Sequence, residues 1–253
     1  NLQKEIIEML GNDYYSTIGK FRSSPTKIFV MCEYTKRIYE EQKDILLLDT
    51  SQKDVVVTGQ PILEKIHNNS IKTKIIEQKK DYEELILWAH QNDTIDAKEI
   101  LNLLKNWLYK YSSRKKKLAF KFHPLENEVI KKNIIDQFKT INSNFIVIND
   151  EDNICDWISA SSLLISQGST AMLEAFFLKK PTIILDPNSL RRNFPYVLTE
   201  ISEIVSNADE LNSKFENIKI FDKQKYSIVK KRLGFKLNSV ENIIKEIKNI
   251  FHE

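Results

Sequence analysis

The sequence predicts an α/β protein built on a doubly wound parallel sheet. Short apolar segments alternate with helical segments five or six times along the chain, which is the pattern of a parallel sheet covered by helices. The stretch 163–187, LLISQGSTAMLEAFFLKKPTIILDP, has the order strand, turn, helix, strand. Such a βαβ unit is almost always right-handed with parallel strands. The chain has no Gly-x-Gly-x-x-Gly motif, which argues against a dinucleotide site of the usual kind.

Composition narrows the class of protein further. The net charge is +3 over 253 residues, too balanced to indicate nucleic acid as a partner. The two cysteines, Cys32 and Cys155, lack metal-ligand spacing and fit a reducing cytoplasm. No run of the sequence is long and apolar enough for a transmembrane helix, and no signal peptide is recognisable. We therefore predict a cytoplasmic protein, with peripheral association at the inner face of a membrane left open by the weakly basic charge.

The predicted elements follow from apolar periodicity and from turn residues. The predicted strands are 28–32, 55–57, 85–89, 118–122, 145–148, 163–166, 182–185 and 201–205. The predicted helices are 2–10, 33–43, 62–67, 95–111, 126–138, 154–160, 171–178, 208–218 and most of the tail from 223. Residues 68–82 are polar and lysine-rich without an apolar period. They are predicted to link a partial amino-terminal segment, 1–67, to a Rossmann-like domain, 83–253, that ends in a helix.

Polar residues follow the predicted strands of this domain. In a doubly wound sheet, ligands bind outside the carboxyl ends of the strands. The residues that follow those ends are His90-Gln91, His123, Asp150, Gly168-Ser169-Thr170 and Asp186. They should therefore line one edge of the sheet and form the ligand site.

The turn Gly168-Ser169-Thr170 and His123 indicate a phosphate site. Gly168 allows a tight turn, and the hydroxyls and N–H groups that follow lie at the positive end of a helix, where an anion is favoured. The plainer alternative is that Ser169 and Thr170 only cap their own helix. His123, in the segment KFHP, can bind phosphate or act as an acid or base, or it can simply pack. Two groups suited to an anion at one sheet edge favour the phosphate site.

Glu174 lies four residues after Thr170, on the same side of the helix. Its carboxylate could accept hydrogen bonds from a ribose diol, or it could be an exposed partner of Lys179. Lys121 alternates with two phenylalanines and could also face the site. The acidic loop at Asp150 has no second acidic cluster beside it, so no metal site is predicted.

Four segments resemble a known family: TGQP at 58–61, LILWAHQND, KFHP and ASSLLISQGSTAMLEAFFLKKPTIIL. Together they are similar to the carboxyl-terminal, donor-binding half of bacterial GT-B glycosyltransferases, the two-Rossmann enzymes of capsule and surface-polysaccharide synthesis. The His-Pro and Ser-Thr pairs resemble those of sialyltransferases and polysialyltransferases, which hold a CMP donor there. The resemblance covers about residues 55–210.

The resemblance implies a role for each residue. His123, the expected catalytic residue, and Ser169-Thr170 would contact the donor phosphate, and Glu174 the ribose. Gly168, His90 and Gln91 would complete the substrate site. The implied partners are a nucleotide-activated sugar, with a CMP-sugar favoured, and a glycan or lipid-linked acceptor; no cofactor or metal is implied. Residues 1–67 would be the end of an acceptor-side domain, because the acidic Asp/Glu-Asp/Glu-Gly motif of that domain is absent from the sequence.

Three alternatives share the same half-fold. A CDP-glycerol or CDP-ribitol phosphotransferase also uses a histidine at a strand end. A non-hydrolysing UDP-N-acetylglucosamine 2-epimerase is similar in the His-Pro and Gly-Ser segments, although the missing acidic catalytic residues argue against it. A nucleotide-binding module without catalysis is the third alternative.

Overall fold

A computed structural model describes residues 27–42, 54–68, 83–91, 97–111, 116–141, 145–188, 196–218 and 222–252. It divides into two compact units, residues 62–230 and residues 1–61 with 231–253. The described strands are β1 (Lys27–Val30), β2 (Asp54–Val57), β3 (Glu84–Ala89), β4 (Lys116–Lys121), β5 (Phe145–Val147), β6 (Leu163–Ser166), β7 (Thr182–Leu185) and β8 (Glu203–Val205). The described helices are α1 (Glu33–Gln42), α2 (Pro61–Asn68), α3 (Ala97–Tyr111), α4 (Glu128–Lys139), α5 (Ile154–Ala160), α6 (Ala171–Phe177), α7 (Tyr196–Ile201), α8 (Ala208–Asn217), α9 (Lys223–Leu233) and α10 (Ser239–His252).

The larger unit contains a six-stranded parallel sheet in the order β5-β4-β3-β6-β7-β8. The chain first winds outward from β3 through β4 to β5. It then returns to the other side of β3 with β6 and winds outward again to β8. The predicted doubly wound α/β fold is therefore confirmed.

The core of the larger unit lies between this sheet and its helices. The central strand β3 is buried from Leu85 to Ala89, as expected for a strand covered on both faces. Trp88, Phe120 and Phe138 pack together, with ring centroids 4.8–6.1 Å apart. Helix α3 contributes one apolar face, including Leu104 and Trp107, to the same core.

Asparagine caps begin three of the helices. The side chain of Asn127 accepts from Val129 N at the start of α4, and that of Asn153 accepts from Cys155 N at the start of α5. Asn207 accepts from Glu210 N in α8. Each cap satisfies a backbone N–H that would have no intrahelical partner.

The smaller unit contains a parallel pair, β1 and β2, together with α1 and α10. Lys27 forms an ion pair with Glu246 of α10 at 3.2 Å. Gly59, which follows β2, has φ +89°, and a Cβ at this position would lie 2.4 Å from the carbonyl oxygen of Lys236. Glycine is therefore required in the TGQP segment by both its conformation and its close approach to another backbone segment.

Most predicted elements are present within two residues of their predicted ends. Helix α7 is an exception, because the predicted loop after Pro187 was not expected to end in a helix at 196–201. The predicted helix 2–10 and nearly all of the predicted linker 68–82 lie outside the described residues. The predicted domain boundaries stay a prediction.

Candidate functional site

The reversal of chain order between β3 and β6 defines the candidate site. Ala89 pairs with Ser166 of β6 on one side and with Lys121 of β4 on the other. Ligands of doubly wound sheets bind at this switch point. The ligand-binding residues are therefore expected at the carboxyl ends of β4, β3 and β6. The structure thereby brings His90, His123 and the turn after β6 to one edge of the sheet.

The turn between β6 and α6 is tied to β3 by buried hydrogen bonds. Ser166 Oγ donates to the carbonyl oxygen of Ala89 at 2.7 Å and accepts from Ser169 N at 3.2 Å. Trp88 Nε1 donates to Gln167 Oε1 at 3.2 Å. Gly168 has φ +112°, a conformation that favours glycine. These contacts fix the turn against the end of β3.

Ser169 and Thr170 differ in what their hydroxyls do. Ser169 Oγ accepts from Ala171 N at 3.3 Å and so caps α6. Thr170 has φ −58° and ψ −21°, its side chain makes no capping hydrogen bond, and the residue is exposed. The capping alternative therefore applies to Ser169, whereas the Thr170 hydroxyl is available to a ligand.

His90 is enclosed at the end of β3. Its backbone N–H donates to the carbonyl oxygen of Lys121, and its ring packs against Trp88 and Phe122 at centroid distances of 5.1 and 5.6 Å. Burial, with a smaller contribution from the charge of His123, lowers the pKa of His90 to about 4. His90 is therefore neutral near pH 7. Gln91 follows it and is half-buried.

Glu126 is a buried residue that the sequence analysis missed. Its Oε2 lies 3.2 Å from Nδ1 of His90, with 2% and 4% of the two side chains exposed. Despite this distance, His90 Nδ1 has no hydrogen-bond partner of acceptable geometry among the described residues. Its Oε1 accepts from Asn127 N at 3.0 Å. A glutamate is rarely buried, and Glu126 is distant from His90 in the sequence, so its place beside that ring is set by the fold.

His123 occupies a tight turn after β4. Its carbonyl oxygen accepts from Glu126 N at 2.9 Å, and its Nδ1 accepts from Leu125 N at 3.1 Å. A neutral imidazole whose Nδ1 accepts must carry its proton on Nε2. Within the described part of the chain, nothing bonds that Nε2–H. The half-buried His123 is thus prepared to donate to an oxygen of a ligand.

Glu174 lies one turn into α6 and contacts α5. Cys155 Sγ donates to Glu174 Oε2 at 3.4 Å. Burial raises the pKa of Glu174, and burial together with the adjoining carboxylate raises the pKa of Cys155 to about 12. Glu174 is neither fully exposed nor paired with Lys179. The alternative that it is an exposed partner of this lysine therefore does not apply.

Lys121 has a structural role, not a place in the site. Its Nζ donates to the carbonyl oxygens of Asn149 and Asp150. The Asp150 carboxylate forms an ion pair with Lys131 at 2.8 Å. In the described ranges, no group of three or more His, Cys, Asp and Glu side chains is placed to bind a metal ion.

The sequence comparison identifies the family. The model of the UDP-N-acetylglucosamine 2-epimerase family matches residues 31–247. The chain belongs to this family. No curated protein sequence matches the chain. Among the described helices of this epimerase-family chain, none is long and apolar enough to cross a membrane.

Solved structures of low sequence identity share the fold. The UDP-GlcNAc 2-epimerase of Methanocaldococcus jannaschii, in complex with UDP-GlcNAc and UDP, is 16% identical with a TM-score of 0.62, over 88% of this chain and 61% of that chain. MnaA of S. aureus with UDP is 15% identical with a TM-score of 0.58, over 83% and 58%. The wall teichoic acid polymerase TagF is 15% identical with a TM-score of 0.59, over 95% and 61%. The chain thus spans about three fifths of the length of these proteins. The predicted GT-B-like, Rossmann-like fold is confirmed, and a nucleotide-sugar-related enzyme family is shown.

Proposed function

We propose that this chain is the nucleotide-sugar-binding part of an enzyme that acts on UDP-N-acetylglucosamine or a closely related UDP-sugar. The observation that carries the proposal is that hydrogen-bond donors of His123 and Thr170 lie unoccupied, among the described residues, near the β3/β6 switch point of a chain in the 2-epimerase family. The sequence motifs favoured a CMP-sugar as the donor. We propose a UDP-sugar instead, because the matching family is named for one.

Each residue has a proposed part in binding. The Thr170 hydroxyl and the Nε2–H of His123 would donate to phosphate oxygens, since both donors are unoccupied within the described residues. Glu174 would accept from the ribose hydroxyls. Gly168 gives the turn its shape, and His90 with Gln91 lies next to it at the end of β3. The ring of His123, already held by the N–H of Leu125, loses little freedom on binding.

The proposed chemical role of the site is stabilisation of negative charge. Breaking the bond between the sugar and the nucleotide places charge on the leaving phosphate, which oriented hydrogen-bond donors stabilise. His123, the predicted catalytic residue, would supply one of these donors without any metal.

A CDP-glycerol-dependent transferase is the second candidate. The TagF polymerase structures match 95% of this chain, against 88% for the archaeal epimerase. Uracil and cytosine differ only at the edge of the base, so the phosphate and ribose contacts proposed above would serve both nucleotides. The acceptor, a glycan or a lipid-linked molecule, and any association with a membrane surface stay predictions.

Thermal stabilisation by nucleotides tests the proposal. UDP and UDP-GlcNAc should raise the Tm with a smaller effect of CMP and CMP-sialic acid, because a ligand that binds only the folded state stabilises it. Larger shifts with CDP and CDP-glycerol would favour the transferase, and larger shifts with CMP-sialic acid the sialyltransferase-like alternative. His123→Ala should reduce the shift, whereas Lys132→Ala, an exposed lysine on α4, should not. No stabilisation by any of these nucleotides would overturn the proposal.

A further inference from the structure

Two histidines at neighbouring strand ends have opposite hydrogen-bonding groups beside Nδ1. His90 follows β3 and His123 follows β4, and the two strands are paired. Nδ1 of His123 faces a donor, the N–H of Leu125. Nδ1 of His90 faces an acceptor, Oε2 of Glu126. Since the two ring nitrogens of a neutral imidazole have opposite roles, these neighbours require opposite tautomers.

The proton of His90 belongs on Nδ1. A lone pair on Nδ1 at 3.2 Å from a carboxylate oxygen would be repelled in a buried site, whereas an N–H there is attracted even when it is not well aligned. The other oxygen of Glu126 accepts the backbone N–H of Asn127, so both carboxyl oxygens have a partner on the protein. The ring also packs against the aromatic side chains of Trp88 and Phe122.

We propose that Glu126 is a positioning residue that fixes His90 in the Nδ1–H tautomer, so that His90 offers an unprotonated Nε2 to a hydroxyl group of the ligand while His123 offers an N–H to phosphate. The tautomers follow from this chain alone; the ligand groups rest on the proposed function. An unprotonated Nε2 repels a phosphate oxygen and attracts an O–H. The site therefore distinguishes the sugar end of the ligand from its phosphate end by the placement of two protons.

The neutral state of His90 supports the assignment. Burial holds its pKa near 4, and the nearby charge of His123 acts in the same direction. A neutral ring carries a single N–H, so the contact with Glu126 decides which of the two ring nitrogens holds it.

Nitrogen-15 NMR of the histidine rings tests the tautomers directly. The chain has four histidines, and His90→Gln and His123→Gln assign the two signals. At pH 7 we expect the Nδ1–H form for His90 and the Nε2–H form for His123 in the ligand-free protein. An Nε2–H form of His90 in the unaltered chain would overturn the proposal without any need for a variant.

Variants at Glu126 test its positioning role. Glu126→Gln replaces one carboxylate oxygen by an amide that can donate as well as accept, so we expect His90 to populate both tautomers. Glu128→Gln, with 83% of the native side chain exposed, removes the same charge two residues away and should leave His90 unchanged. An unaltered His90 tautomer in folded Glu126→Gln would overturn the role of Glu126.

Ligand titration separates this proposal from the proposed function. UDP alone should shift the Nε2 signal of His123, whereas UDP-GlcNAc should in addition shift that of His90 towards the hydrogen-bonded range. A His90 shift of equal size with UDP alone would contradict the assignment of a hydroxyl partner. If neither probe binds, the proposed function fails, while the tautomers measured in the free chain still decide the role of Glu126.

Discussion

Trp88 Nε1 and Gln167 Oε1 lie 3.2 Å apart and form a buried hydrogen bond across 79 residues of sequence. The bond joins the core of β3 to the turn that carries Ser169 and Thr170. A side chain of the hydrophobic core thereby sets the position of the candidate phosphate loop.

Trp88→Phe should affect both stability and binding. Phenylalanine keeps an aromatic ring but cannot donate to Gln167, and loss of a buried hydrogen bond costs about 1–3 kcal/mol. Trp107→Phe is the matched control, because Trp107 is also fully buried and its Nε1 has no hydrogen-bond partner among the described residues. Urea unfolding and UDP titration of both variants would measure the difference. Equal losses of stability in the two variants would contradict a role for the bond.

Ser169→Ala and Thr170→Ala should separate capping from binding. Ser169 caps α6, so its removal should lower the free energy of unfolding by about 0.5–2 kcal/mol. Thr170 is exposed and caps nothing, so Thr170→Ala should leave stability within about 0.5 kcal/mol. Its UDP affinity should fall by about 1–3 kcal/mol, the cost of a lost hydrogen bond to a charged group. Unfolding curves and calorimetry provide the two measurements, and unchanged affinity in Thr170→Ala would exclude it from the phosphate site.

Glu174 should make stability depend on pH. Burial raises its folded-state pKa above the ordinary value of 4.5, so the folded chain retains a proton that the unfolded chain has released. The associated stability is present below about pH 4.5 and is lost as pH rises through the folded-state pKa. Glu174→Gln should abolish this part of the pH dependence, whereas Glu151→Gln, at an exposed position, should preserve it. Parallel pH profiles of Glu174→Gln and the unaltered chain would refute the shift.

Lys121→Met should weaken the loop that follows β5. Without the ammonium group, the carbonyl oxygens of Asn149 and Asp150 lose their shared donor, which should cost about 1–3 kcal/mol. Lys132→Met, at an exposed position of α4, is the control and should change stability by less than about 0.5 kcal/mol. Hydrogen exchange in residues 149–152 would locate the effect. If exchange there is unchanged in Lys121→Met, the lysine does not support this loop.

The periodicity of the sequence predicted most of the sheet, because a strand buried on both faces is mostly apolar, as residues 85–89 of β3 and 163–165 of β6 are. The strand-end rule then placed His90, His123 and the turn at Gly168 on one edge. The role of Glu126 could not be predicted, since its partner lies 36 residues earlier in the sequence, on another strand end. The roles of Ser169 and Thr170 could not be separated from the sequence either, because the two adjacent hydroxyl residues differ only in the hydrogen bonds and exposure that the folded turn gives them.

The strand order has a consequence for how the site is made. The strands β3, β4 and β5 follow one another along the chain and can pair as soon as they are synthesised. The pairing of Ala89 with Ser166 spans 77 residues, and pairings of long sequence separation form slowly. The crevice between β3 and β6 is therefore expected to form late, after β3, β4 and β5 have paired with one another. Until β6 has been synthesised, the edge of β3 that it later covers has no strand beside it, and such an unpaired strand edge favours aggregation.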